Sequence, residues 1–104
     1  MKTQSYSATE FAVMRWAQDR GIYTHGTALG QAEKTLEEAQ ELIDAIKIGS
    51  KPQASDAIGD VLVTLVNCAA LLDLDVRQCF YEAYQEIKDR TGQMKADGKF
   101  HKEA

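Results

Sequence analysis

The chain has 104 residues, 44% of them hydrophobic, a single proline and a formal net charge of −4. That length suits one small domain, which buries only about two-thirds of its unfolded surface and so gains from association with further copies. The acidity excludes a general nucleic-acid surface and is concentrated: residues 33–60 hold seven acids against three lysines, whereas the rest balances at nine of each.

Ala, Glu, Leu, Lys and Gln dominate and β-branched runs are scarce, so the expected class is all-α. Ser7 followed by Glu10 has capping-box spacing and predicts a first helix to about Asp19, stopped by Arg20-Gly21. Glu10, Arg15, Asp19 and Arg20 break up the layout of a secretory signal, so a cytoplasmic location is expected. A loop from Gly21 to about Gly30 carries Tyr23, His25 and Gly26, and a second helix follows over about 31–48, closed by Gly49. Ser50-Lys51-Pro52-Gln53 repeats the capping spacing and opens a third helix to about Leu72. Asp75 with Gln78 caps a fourth helix ending near Arg90-Thr91-Gly92, and a polar tail from about 91 completes a single four-helix domain over 1–104.

The fourth helix is amphipathic, with Val76, Cys79, Phe80, Ala83, Tyr84 and Ile87 at helical spacing. The third is apolar almost all round, which predicts a central element covered on every side. Its apolar run, residues 56–72, is shorter than the ~20 residues of a bilayer span and contains an aspartate, so a core helix is expected and no membrane contact. Cys68 and Cys79 lack metal-ligand spacing and are expected as buried free thiols; Phe11 and Met14 are expected in the core.

Against that apolar background Asp56, Asp60, Val63 and Asn67 fall within about 60° of one another on a helical wheel and form a polar stripe. On the second helix Leu36, Ala39, Leu42, Ile43 and Ile46 mark the core side, with Glu38 and Glu41 at its edge and Glu37 and Asp44 further out. A short connection makes these two helices antiparallel neighbours, so their carboxylates meet across the interface. Like charges in a partly desolvated space raise their own pKa values, and a divalent cation removes the conflict. Oxygen-only ligands select a hard ion such as magnesium or manganese. Capping by Asp56 and a solvated helix-two face account for some of these acids, but Asp60 lies too deep to cap and Asn67 needs a named partner.

These residues resemble a known family. EEAQE at 37–41 followed by DAIGDVLVTLVNCA at 56–69 is similar to the MazG-like nucleoside triphosphate pyrophosphohydrolases, an all-α fold shared with dimeric dUTPases and phosphoribosyl-ATP pyrophosphatase. WAQDRGI, EIKDRTGQM and DGKFHKE resemble the short, phage-type members. Matched position by position, Glu38 and Glu41 correspond to the glutamates of ExxE, Asp60 to the aspartate of ExxD, Glu37 to the leading glutamate and Asn67 to a family asparagine, expected to meet substrate. Ala57 stands where the family has the glutamate of ExxD; either Asp56 takes its place, which its alignment with Asp60 and Asn67 favours, or three carboxylates and more water hold the metal.

The resemblance implies cleavage of a nucleoside triphosphate between its α and β phosphates, with deoxynucleotides as the expected substrates. Magnesium would be held by Glu38, Glu41, Asp60 and Asp56, with Glu37 or Glu38 orienting the attacking water. Lys34, Lys88 and Arg90, with tail lysines 95, 99 and 102, are the cations available to the outer phosphates, and Trp16 or Tyr23 could stack on a base. The resemblance also implies a homodimer or dimer of dimers. A helical interaction module binding a basic partner through the acidic face is the reading in which no reaction occurs.

Overall fold

The computed structural model describes residues 4–103. Its helices are α1 (Tyr6–Asp19), α2 (Ile22–His25), α3 (Ala28–Lys47), α4 (Lys51–Leu71) and α5 (Val76–Ile87), followed by strands β1 (Gly92–Met94) and β2 (Phe100–Lys102). The fold is all-α in class, with five helices rather than the four expected. The extra one is a single turn, α2, inside the segment read as loop.

Side-chain caps set the boundaries. Ser5, not Ser7, caps α1, its hydroxyl accepting from the Ala8 N–H at 3.1 Å, so Glu10 is released from a capping role. Thr27 accepts from the Gly30 N–H at 3.0 Å and starts α3 three residues before the expected position. Ser50 caps α4 as expected, with Pro52 in the first turn, where its missing N–H costs nothing. Asp75 caps α5, accepting from the Arg77 N–H at 2.9 Å.

The tail is not featureless. β1 and β2 pair antiparallel, with Gly92 opposite Lys102. A Cβ at Gly92 would collide with the His101 carbonyl, so glycine is required where the strands close.

α3 and α4 form the main contact of the chain. Cys68 Sγ lies 3.6 Å from the Ala28 carbonyl oxygen, and Thr35 Oγ1 donates to Thr64 Oγ1 at 2.8 Å; this pairing of early with late positions makes the helices antiparallel. Their seam is lined by small or polar side chains: Ala45, Ala57, Thr64 and Asn67 are all buried. Each polar member is satisfied locally. Thr64 also donates to the Val61 carbonyl, and Asn67 Oδ1 accepts from the Tyr23 hydroxyl at 2.8 Å, which ties α2 to the seam. The inward stripe of α4 is therefore Ala57, Asp60, Thr64 and Asn67, which keeps Asp60 and Asn67 of the stripe read on the wheel and puts Ala57 and Thr64 in place of Asp56 and Val63.

The large apolar residues are distributed otherwise than expected. Ile58, Leu62 and Leu65 of α4 are exposed, so that helix is not covered on every side. By length and composition α4 could cross a membrane, yet its polar stripe here packs on α3. Leu36, Ile43 and Ile46 of α3 and Phe80, Tyr84 and Ile87 of α5 are exposed as well, as are Phe11 and Cys79, while Met14 and Cys68 are half-buried. α5 packs on α4 and reaches α1 through Arg77 at its start, and the chain has a radius of gyration of 16.0 Å. A compact chain of this length has a radius of about 13 Å.

Two outcomes test these packing claims. Tyr23→Phe leaves the buried Asn67 carbonyl without its donor and is expected to cost roughly 1–3 kcal/mol in urea unfolding. The Arg77 backbone N–H and guanidinium hold the Asp75 carboxyl below its ordinary value of 3.8. Its contribution is therefore full above pH 3.8 and lost as pH falls through the lower folded value, so the melting-temperature gap between wild type and Asp75→Asn should close on acidification.

Candidate metal centre

One turn along the seam from the Thr35–Thr64 bond, the paired side chains become acidic. Glu38 and Glu41 from α3 and Asp60 from α4 each place a carboxylate oxygen so that all three lie within 4.8 Å of one another. Glu38 and Asp60 are half-buried and Glu41 is exposed. Glu38 Oε2 is buried and has no hydrogen-bond partner. The Glu38 carboxyl is pushed above its ordinary value by its hydrogen bond with Glu41, by desolvation and by the charges of Glu41 and Asp60, with Lys34 opposing.

The set fits a hard divalent cation. Opposed oxygens in an octahedron of ~2.1 Å bonds are roughly 4.2 Å apart, so small side-chain movements close the cluster on such an ion. An ion would also supply the partner that Glu38 Oε2 lacks.

Asp56 stands outside this group. It is exposed, and it borders two cavities: one of about 280 Å³ shared with Glu41, Asp44 and Ala57, and one shared with Asp60. Position 57, where the family glutamate would be, does face α3, and the buried Ala57 leaves space beside Glu41. Glu37 points outward at 70% exposure and pairs with Lys34, three residues before it, at 3.8 Å. Asn67, expected to meet substrate, is buried with Tyr23 as its partner. Lys88 and Arg90 are exposed beyond α5, Arg90 bordering a cavity with Glu86, Asp89, Thr91, Lys102 and Glu103. Trp16 is about half exposed, with the Arg20 guanidinium 4.7 Å from its ring centroid.

Glu10 was not read from the sequence as anything but a capping residue. It is 6% exposed, and Arg77 Nε lies 3.5 Å from its Oε2. The signal that could have found it is periodic: Glu10, Val13 and Ala17 share the inward stripe of α1, as an i, i+3, i+7 count shows.

The electrostatics of the cluster give a test in metal-free protein. Because the Glu38 carboxyl titrates above 4.5, its ionisation opposes folding as pH rises through the folded value and does not below 4.5. In EDTA, Glu38→Gln is expected to raise the melting temperature at pH 7 more than at pH 4.

The model of the MazG nucleotide pyrophosphohydrolase domain matches residues 27–94, about two-thirds of the chain, from the cap of α3 to the end of β1. No curated protein and no solved structure matches the chain. The matched segment contains all three clustered carboxylates, while α1 and α2 lie before it. With its acidic cluster on the α3–α4 seam, the chain belongs to the MazG nucleotide pyrophosphohydrolase family, hydrolases of the phosphoric anhydride bonds of nucleoside triphosphates.

Proposed function

We propose that this protein is a cytoplasmic, single-domain enzyme of nucleotide-pool housecleaning, cleaving deoxynucleoside triphosphates between the α and β phosphates with magnesium as cofactor. The observation that supports this reading is the juxtaposition of Glu38, Glu41 and Asp60 with one carboxylate oxygen left buried and unpaired, in a chain of this family.

Magnesium, or manganese in its place, would supply positive charge where negative charge develops on the phosphates. Glu38, Glu41 and Asp60 are the groups that would hold it. Asp56 is assigned an outer role, holding water in the cavity it shares with Glu41. Glu37, the α3 carboxylate next to Glu38 and outside the cluster, is assigned to orient the water that attacks the α phosphorus. The bond from that phosphorus to its bridging oxygen breaks, and pyrophosphate leaves. Lys34, paired with Glu37 in the free protein, is the cation nearest in sequence to the cluster and is assigned to a phosphate. Lys88, Arg90 and Trp16 line neither cavity that the cluster borders, and they are assigned to substrate through movement of their segments or from a second copy.

A second copy is part of the proposal. Exposed Phe80, Tyr84 and Ile87 on α5, and Ile58 and Leu65 on α4, are faces that water would not leave uncovered at this size. A homodimer, or a dimer of dimers, would bury them.

The test is to incubate the full chain with deoxynucleoside triphosphates and magnesium and separate products by anion exchange. Monophosphate and pyrophosphate are expected, with kcat/KM lowered at least about 100-fold in Asp60→Ala. Glu37→Gln should lower kcat with little change in KM. Orthophosphate as first product, or full activity in Asp60→Ala, would overturn the reading. Absence of turnover with binding that survives EDTA would favour the interaction module instead.

A further inference from the structure

Glu10 is the one charged residue buried among the described residues, and its Oε1 has no hydrogen-bond partner. The Tyr6 hydroxyl also interacts with this carboxyl, and its Oε2 has Arg77 as a salt-bridge partner. Arg77 Nε is 3.5 Å from Oε2 but 3.3 Å from Asp75, and the same guanidinium lies over the Phe11 ring, so Arg77 is divided among several partners. A carboxylate this buried with one oxygen unpaired carries a desolvation cost that a further N–H donor would offset.

Glu10 borders a cleft of about 510 Å³ between α1 and α4, within the ~300–1,000 Å³ of small-molecule sites. Val13, Leu62, Val63 and Val66 form an apolar stretch of its wall, Tyr6 and Thr9 lie on the α1 side, and Asp56 and Asp60 border the same cleft. Val66, which adjoins Glu10 in both cavities that residue borders, is six residues beyond Asp60, or about 9 Å along α4. That is the reach of a nucleoside from its α phosphate to the far edge of its base.

We propose that this cleft receives the nucleobase of the substrate and that the Glu10 carboxylate selects guanine. The inference rests on the pyrophosphohydrolase reading for the position of the triphosphate at Asp60. Guanine alone among the four bases presents two adjacent N–H donors, N1–H and the N2 amino group, which a carboxylate accepts side by side. Adenine and cytosine place a ring-nitrogen lone pair next to their amino group, and thymine flanks its one N–H with carbonyl oxygens; each sets a lone pair against the carboxylate. The flat apolar walls suit the faces of a ring without discriminating among rings.

The experiment measures kcat/KM of the full chain, with magnesium, for dGTP, dATP, dCTP and dTTP. A preference for dGTP of at least about tenfold is expected, falling toward unity in Glu10→Gln. The ratio is the informative quantity, because a merely structural loss lowers all four together. Equal use of the four nucleotides, preference for another base, or a dGTP preference that survives Glu10→Gln would overturn the proposal. Should Glu10→Gln fail to fold by circular dichroism, Val63→Phe, which narrows the cleft, is expected to raise KM for dGTP several-fold, and an unchanged KM would overturn it. If no nucleotide is turned over, the pyrophosphohydrolase reading fails by itself. Calorimetric binding of the four α,β-methylene deoxynucleotides then decides the pocket: guanine-selective binding lost in Glu10→Gln sustains it, and unselective or absent binding overturns it.

Discussion

Two helices packed closely enough to bring three carboxylates within 4.8 Å must carry small or hydrogen-bonded side chains along the rest of their contact, and this constraint organises the chain. Ala45 and Ala57 let α3 and α4 approach at one end, while the Thr35–Thr64 bond and the Tyr23–Asn67 bond satisfy the seam at the other. Bulky residues are turned outward as a consequence. The helix pair thus trades the packing of a large single-chain core for a rigid acidic site, and the apolar area left exposed is surface available to a second copy.

The position of Ala57 sharpens the chemistry. It faces α3, and a carboxylate there would join the cluster, whereas Asp56 is turned away by one helical position. Three inner carboxylates instead of four lower the negative charge of the centre, and the space beside Glu41 is suited to water. Both features are in keeping with magnesium, which retains part of its hydration shell.

Much of this was legible in the sequence, for reasons that differ from element to element. α4 and α5 announced themselves through Ser50, Pro52 and Asp75, because capping is local chemistry that depends on a few adjacent residues. Glu38, Glu41 and Asp60 were legible because acids at helical spacing in an apolar context demand a shared explanation. The cap of α1 was misplaced because Ser5 and Ser7 compete for one role and only the backbone decides between them. Asp56 was grouped with Asp60 because a helical wheel gives relative angles and not the direction of the partner helix, so the turn of the inward stripe toward Ala57 went unseen. The coverage of α5 was misread for a related reason: an amphipathic face specifies that something is buried against it, not that the something is in the same chain. Glu10 was hidden because its salt-bridge partner, Arg77, is distant in sequence.

If the seam exists to hold a cation, metal binding and the seam's carboxylates must stand or fall together. The most direct measurement is titration of the full chain with manganese, read by electron paramagnetic resonance of the free ion, in wild type and in Asp60→Asn. The account predicts one saturable site per chain in wild type that weakens by at least about tenfold in Asp60→Asn; manganese binding of equal strength in both proteins, or none in wild type, would contradict it.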